Sequence, residues 1–350
     1  MDFQNKVALV TGGGNGIGRA SALGFAARGA KVVIVDRDTT GGEATMGVVR
    51  QQGGEALFVE ADVTSAESVR NYVDRAVKAY GRIDCFHNKV AVVTGGSNGI
   101  GRATALGFGK HGAKVVIVDR DAGGGEATAG IVRQQGGEAI FVQADVTDAQ
   151  SVKAYVDKAV KTYGRIDCFH NNAGIEGKIA QTADYEEAVF DAVMAVNVRG
   201  VFLGLKYVLT QMLAQKSPGA IVNTASVAGL LGSPGMPAYV ASKHAVLGLT
   251  KTASGEVARH GIRVNAVCPG PIDTRMIHSV EAQVDAANPK AVEARYQSTI
   301  PIGRYGTAEE VANVVLFLCS DLASNITGAH YVIDGGRTST PGAVTSMTAG

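Results

Sequence analysis

Tryptophan is absent from this 350-residue chain, and cysteine, proline and the aromatics are sparse: four, eight and 6%. The cysteines, Cys85, Cys168, Cys268 and Cys319, form no C-x-x-C pair, which excludes a disulfide scaffold and a thiolate zinc site. Cys168-Phe-His170 has the spacing of strand packing rather than of a ligand set, no H-E-x-x-H occurs, and no metal is expected. Charge of one sign is lacking too. Against 33 basic side chains stand 32 acidic ones, so no basic excess draws the chain to nucleic acid or to an anionic membrane. No apolar run approaches the ~20 residues of a bilayer-spanning helix. Residues 1–6 lead into a β-rich segment with a Gly-rich turn and do not read as a signal peptide. These absences describe a soluble protein of a reducing compartment, the cytoplasm.

What is plentiful is apolar surface, 46% of residues, and glycine, 46 residues set in turns between apolar strands. The largest feature is an internal repeat. Residues 6–88 and 89–171 align without gaps at a period of 83, and about three quarters of the positions are identical. KVALVTGGGNGIGRA answers KVAVVTGGSNGIGRA, and KVVIVDRD and GRIDCFHN each occur twice. A solenoid repeats many times with variation; this pattern repeats once and stops, as a duplicated segment does.

Each copy alternates short β-branched strands with helices, the pattern of βαβ units and a parallel sheet covered on both faces. Strands are expected at VALV/VAVV, KVVIVD, EALFVEADV/EAIFVQADV and RIDCFHN. Only the second copy continues, with a helix over 188–216, a strand over 219–226, a helix over 238–260 and a strand over 262–270. An irregular, partly helical stretch comes next over 271–300, then a helix over 308–320, a strand over 328–336 and a loose tail. The expected fold class is α/β, a doubly wound parallel sheet of seven strands in residues 89–338, preceded by a partial duplicate of strands one to four in residues 1–88 and succeeded by a flexible tail, 339–350. In a rival arrangement copy one completes the sheet and copy two loops out, but looping out 83 residues costs about 4 kcal/mol.

The turn Thr94-Gly95-Gly96-Ser97-Asn98-Gly99-Ile100-Gly101 follows a strand and opens a helix. Glycine there permits a tight bend and close approach to a pyrophosphate, and the helix N-terminus offers free N–H groups. Asp119, 18 residues after Gly101 at the end of the next strand, suits the adenosine ribose hydroxyls, or is an ordinary strand-end Asp. A carboxylate there repels a 2′-phosphate, so NAD is expected over NADP; Arg120 softens that preference. Asp145-Val146 closes the third strand and frames the adenine.

Of ten tyrosines only Tyr239 has a lysine four residues on, Lys243, and positions i and i+4 share a helix face. An ammonium beside a phenol favours the phenolate, the tuning that general acid–base work at neutral pH needs. The bland alternative is a surface Tyr–Lys pair. Ser226, 13 residues upstream at the C-terminal end of a strand, lies where open α/β sheets bind ligands, or is a plain turn serine. Asn197, in VNVRG, is a helix asparagine bonded to backbone.

Taken together, the Gly-rich turn, Asn172-Ala173-Gly174, Asn197, Ser226, Tyr239-x-x-x-Lys243 and Pro269-Gly270 resemble, in order and spacing, the short-chain dehydrogenases/reductases. Residues 89–338 cover the whole length of that family's simple members. The resemblance implies a Rossmann-type NAD-binding fold and hydride transfer between a secondary alcohol and a ketone. It makes Tyr239 the acid/base and gives Ser226 the carbonyl or alkoxide. Lys243 lowers the tyrosine pKa and holds the nicotinamide ribose, and Asn197 anchors a relay water. Asn172-Ala173-Gly174 steadies the sheet and lines the adenosine side, and Ile272 and Thr274 hold the nicotinamide carboxamide. A homo-oligomer, tetramer or dimer, through the helices around 190–216 and 238–260 is implied as well. Residues 273–300, with Met276, His278 and Tyr296, are expected to form a lid over a small to medium cyclic alcohol, sugar or hydroxysteroid. The alternative is an inactive nucleotide-binding scaffold or sensor, against which the complete Asn197-Ser226-Tyr239-Lys243 set speaks.

Overall fold

Short runs of valine and isoleucine are apolar on both sides, so each has to be covered on both sides, and a parallel sheet between helices does this. The computed structural model describes residues 3–4, 6–80, 86 and 89–339. It divides into two compact units, Met1–His87 and Asn88–Gly350.

In the first unit, β1 (Val7–Thr11), α1 (Gly16–Ala26), β2 (Lys31–Asp36), α2 (Thr39–Gln51), β3 (Ala56–Glu60) and α3 (Ala66–Tyr80) alternate. The three strands form one parallel sheet in the order β1-β2-β3. Val33, Val35 and Val59 pack under Tyr72 and Ala76 of α3, while Val32 and Ile34 face Ala22 and Val49 of α1 and α2. The fourth strand expected in this copy, over 82–88, lies outside the described residues, as does the tail from 340.

The second unit runs β4 (Val90–Thr94), α4 (Gly99–Lys110), β5 (Lys114–Asp119), α5 (Ala122–Gln134), β6 (Glu138–Gln143), α6 (Ala149–Tyr163), β7 (Cys168–Asn171) and α7 (Glu187–Met194). A π-helical turn, Ala195–Gly200, leads into α8 (Val201–Gln215), β8 (Gly219–Thr224), α9 (Pro237–Val257) and β9 (Ile262–Pro269). The unit ends with α10 (Arg275–Val284), α11 (Pro289–Ser298), α12 (Ala308–Cys319) and β10 (His330–Ile333). Its seven parallel strands lie in the order β10-β9-β8-β7-β4-β5-β6, so the sheet is built wholly from the second copy and the residues C-terminal to it. The strand order reverses between β4 and β7, and a cleft opens there at the carboxyl ends, the usual ligand position of doubly wound sheets. Phe169, Ile221, Val264 and Met212 belong to the main core, all fully buried.

Three expectations need correction. The 271–300 stretch is two regular helices, α10 and α11; Pro289 at the first position of α11 and Asn288 capping it, with its side chain accepting from Ala291 N at 3.1 Å, supply a start signal that mixed polarity obscures. The helix expected at 188–216 contains a π turn, which side-chain periodicity does not reveal. Finally, the span 187–215 is by length and composition apolar enough to cross a membrane, although charged residues at Asp191, Arg199 and Lys206 break its apolar string. In the fold its inner face, Leu203, Leu205, Val208 and Met212, is buried in the core.

Candidate active site

A cavity of about 700 Å³ opens at the carboxyl ends of β4, β5, β7, β8 and β9. At one end lie Gly95, Ser97, Asn98, Gly99 and Ile100, together with Asp119, Arg120, Asp145 and Val146. The middle is walled by Asn172, Ala173, Gly174, Pro269, Gly270, Ile272 and Thr274, and the other end holds Ser226, Tyr239 and Lys243. Of the cofactor and proton-transfer residues singled out from the sequence, Gly101 and Asn197 are not on the wall, and each stands behind it.

Behind the turn, a Cβ on Gly101 would drive into the Gly95 carbonyl oxygen, so only glycine lets α4 start this close to the end of β4. Gly99 has φ +52, the left-handed region, and abuts the Thr274 methyl group. The Asp119 carboxylate accepts from Ser97 N and Asp121 N, both at 3.0 Å, which pins the loop to the tip of β5. Asp145 accepts from Thr147 N and Oγ1, both at 2.8 Å, and the exposed Arg120 guanidinium stands 3.9 Å from it. A concave, N–H-lined turn beside a fixed carboxylate fits a dinucleotide's pyrophosphate and adenosine ribose.

The centre is a hydrogen-bonded seam across three strand tips. Thr94 Oγ1 accepts from Asn172 N at 2.9 Å and Ala173 N at 3.1 Å, and Asn172 Nδ2 donates to the Thr94 carbonyl at 3.0 Å. Thr224 Oγ1 donates to Asn172 Oδ1 at 3.1 Å and meets His170 Nε2 at 2.9 Å. Because the single Thr224 hydroxyl proton goes to Asn172, His170 must donate from Nε2. Its Nδ1 is then an unprotonated, buried nitrogen with no partner among the described residues, and burial holds the ring's pKa down to about 3.

At the reacting end, Ser226 has extended backbone and starts a short 3-10 turn; its Oγ accepts from Ala228 N at 3.1 Å and donates to the Pro269 carbonyl at 3.3 Å. Tyr239 sits in the first turn of α9, which Pro237 starts, and Lys243 lies one turn on. Lys243 Nζ donates to the Thr224 carbonyl at 2.8 Å and lies 5.4 Å from the centre of the Tyr239 ring. Burial pushes the Tyr239 hydroxyl up to about 12; its hydrogen bond with Ser226 pulls the other way and the Glu176 carboxylate adds to the rise. Burial pushes Lys243 down to about 8. The expected lowering of the phenol by its lysine is therefore overridden in this geometry: the ammonium is turned to a carbonyl, and desolvation of the phenolate wins.

Asn197 is fully buried in the π turn. Its Oδ1 accepts from Ile175 N at 2.8 Å, and its Nδ2 donates to the Ile175 carbonyl at 2.9 Å and to Ser242 Oγ at 3.0 Å. A Cβ on Gly174 would stand 3.3 Å from Asn197 Oδ1 and 3.6 Å from Lys243 Nζ, so both groups border the same gap. From the lid, Met276 and Tyr296 line the cavity. His278 does not. It bridges Asp273, just before α10, and buried Glu281, within it, each at 2.9 Å, while Tyr305 donates to Glu281 at 2.7 Å and fastens α10 to the segment before α12.

The family model described as "Enoyl-(Acyl carrier protein) reductase" matches residues 95–338, and the one described as "short chain dehydrogenase" matches residues 6–88. Levodione reductase of Leifsonia aquatica is 44% identical over 254 residues, 72% of this chain and 95% of its own. The chain belongs to the short-chain dehydrogenase/reductase family. A cyclohexanol dehydrogenase of an Acinetobacter species is 42% identical over 73% of this chain and 96% of its own. Among solved structures, levodione reductase matches with TM-score 0.72 over 73% of this chain and 99% of its own. NAD+-bound xylitol dehydrogenase matches at 39% identity and TM-score 0.69, over 72% and 99%. A putative 2-deoxy-d-gluconate 3-dehydrogenase from Agrobacterium tumefaciens with bound NADP matches at 34% and TM-score 0.65, over 73% and 98%. The chain's chemistry is accordingly NAD(P)-dependent oxidoreduction between an alcohol and a ketone.

The two shifted groups set a pH signature. Tyr239 keeps its proton to about pH 12, and Lys243 keeps its charge only to about pH 8. A base must be unprotonated to act and an acid protonated. With Tyr239 as the base, alcohol oxidation should climb with pH throughout the range below about 12, and less steeply above about pH 8, where Lys243 loses its charge. Ketone reduction should be level up to about pH 8 and decline above it, as Lys243 loses the charge that supports a forming phenolate. Initial rates in both directions across that range check this; oxidation that is level or falls with pH would contradict it.

Proposed function

We propose that the chain is an NAD(H)-dependent dehydrogenase/ketoreductase of secondary alcohols, with Tyr239 as its acid/base. The observation that carries this is the convergence of Ser226, Tyr239 and Lys243 at one end of a cavity whose other end is the glycine turn and Asp119. The turn from Gly95 to Gly101 and the start of α4 would hold the pyrophosphate, and Asp119 the adenosine ribose hydroxyls. Asp145-Val146 would frame the adenine, Asn172-Ala173-Gly174 would line the adenosine side, and Ile272 and Thr274, after Pro269-Gly270, would hold the carboxamide. The nicotinamide, when bound, supplies the hydride donor or acceptor. Ser226 Oγ orients the substrate oxygen, the Tyr239 hydroxyl donates or takes the proton there, and Lys243 Nζ supports the phenolate and the nicotinamide ribose. Asn197 is a positioning residue. Its amide pins Ile175, and the gap beside Gly174, bordered by Asn197 Oδ1 and Lys243 Nζ, suits a relay water.

Asp119 supports NAD over NADP. Its carboxylate is locked by two backbone amides at the tip of β5, where a 2′-phosphate would meet a negative charge, while Arg120 leans toward Asp145. Three buried thiols, Cys168, Cys268 and Cys319, support a reducing, cytoplasmic setting. The apolar side chains Phe190, Phe202 and Leu213, exposed on α7 and α8, support a homo-oligomer, dimer or tetramer. Residues 1–88 read as a partial, non-catalytic copy: β1 to β3 and the Asp36 carboxylate, which accepts from Gly14 N at 2.8 Å, repeat the cofactor half, and no counterpart of Ser226, Tyr239 or Lys243 comes after them within the copy.

Tyr239→Phe keeps the ring and removes the proton, so turnover should fall by roughly two to four orders of magnitude with the fold retained by circular dichroism. Near-normal turnover would refute the assigned mechanism. Asp119→Ser should raise kcat/KM for NADP relative to NAD by at least about tenfold, because the repelling charge is gone; an unchanged ratio would hand the selectivity to Arg120. A fragment spanning residues 84–350 should turn over the same alcohols as the full chain. A folded but inactive fragment would make copy one part of the enzyme.

A further inference from the structure

The cavity wall carries one charged group that the cofactor and proton-transfer roles leave unused. Glu176, two residues after Gly174, is half-buried and lines the cavity with Tyr239. Its position is enforced from both sides. The preceding residue, Ile175, is held at N and O by Asn197, at 2.8 and 2.9 Å. The next residue, Gly177, accepts from Gln283 Nε2 of α10 at 3.2 Å, and Ile179 N donates to Gln283 Oε1 at 3.0 Å. Gly177 has φ +76, and a Cβ there would press on the Tyr185 hydroxyl, so the chain turns sharply just after the glutamate. These bonds fix the backbone on both sides of Glu176, so its side chain starts from a defined point on the cavity wall.

Yet among the described residues no hydrogen-bond or salt-bridge partner meets that carboxylate. The nearest cation in sequence, Lys178, is committed to Glu186 at 2.7 Å. Arg275 and Arg337 also line the cavity, but Arg337 lies over the Tyr296 ring, 5.7 Å from its centre. The Glu176 carboxylate is near enough to Tyr239 to help raise its hydroxyl. A carboxylate on the cavity wall that no protein donor meets is free to accept from a donor that the ligand brings, exchanging water for a charge-assisted hydrogen bond.

We infer that Glu176 determines specificity by accepting a hydrogen bond from a second hydroxyl of the substrate, so that the preferred substrates are diols, polyols or hydroxyketones rather than simple alcohols. This rests on the dehydrogenase reading above and sharpens it. The same carboxylate disfavours substrates carrying an anionic group near the reacting carbon.

The test uses the full chain with cyclohexanol and its 1,2-, 1,3- and 1,4-diols, assayed with NAD and with NADP. At least one diol should exceed cyclohexanol in kcat/KM by about tenfold or more, since a site built to bond a hydroxyl discriminates strongly against the analogue lacking it. Glu176→Leu should lower the favoured diol by about tenfold or more and raise cyclohexanol, inverting the order. Glu176→Gln, which keeps shape and an acceptor oxygen, should retain part of the diol preference. No preference for any diol in the wild type, or an equal loss on diol and cyclohexanol in Glu176→Leu, overturns the role of Glu176 and leaves the dehydrogenase reading standing. Turnover of none of the four alcohols with either cofactor overturns both.

Discussion

The hydrogen-bonded seam of Thr94, Asn172 and Thr224 is what the site depends on. Each belongs to a different strand end, and the seam fixes how far apart those ends stand. Thr94 sets where the glycine turn begins. Thr224 reaches both ways: its hydroxyl bonds Asn172, and its carbonyl takes the Lys243 ammonium. The strand tip that carries the glycine turn and the helix that carries Tyr239 and Lys243 are thus joined through one residue. A buried polar network of this kind is stabilising only if its members are satisfied. The exception, His170 Nδ1, is an acceptor on a ring that burial keeps neutral, which costs less than a stranded donor or charge.

Burial at the other end does chemistry that side-chain pairing alone does not. The same desolvation raises Tyr239 and lowers Lys243, moving an acid and a base in opposite directions because one is charged when unprotonated and the other when protonated. Tyr239 is in consequence held protonated at neutral pH. Ser226 opposes that bias through its hydrogen bond, and Glu176 reinforces it.

How much of this was legible in the sequence divides along a physical line. Sheet class, strand sites and the glycine turn come from local periodicity, and Tyr239, Lys243 and Ser226 from local spacing with strand position, so they could be read directly. The π turn around Asn197 was not legible, since one extra residue per turn leaves no compositional trace. The tie from His278 to Asp273 and Glu281 joins short-range neighbours, but its completion by Tyr305 depends on a chain segment 24 residues further on. Glu176 was missed for a related reason. Lacking a partner is a property of surroundings, and nothing at positions 174–178 announces it.

The two copies show how little of a site local sequence specifies. Asp36 and Asp119 make the same pair of bonds, to the loop amide and to the amide two residues on, at 2.8 and 3.0 Å in one unit and 3.0 Å twice in the other. The glycine turns share φ values, +67 and +52 against +66 and +52. Up to this point the copies are equivalent. They part at the seam. Thr11 stands where Thr94 does, but the Asn-Ala-Gly that meets Thr94 has no counterpart, because Asn88 is followed by Lys89. That segment, and counterparts of β8 and α9, are missing from the sequence of the first copy. A phosphate-binding turn is encoded within some thirty residues; a reacting centre requires strand ends far apart in the chain to be drawn together, and only the unit with all seven strands does that.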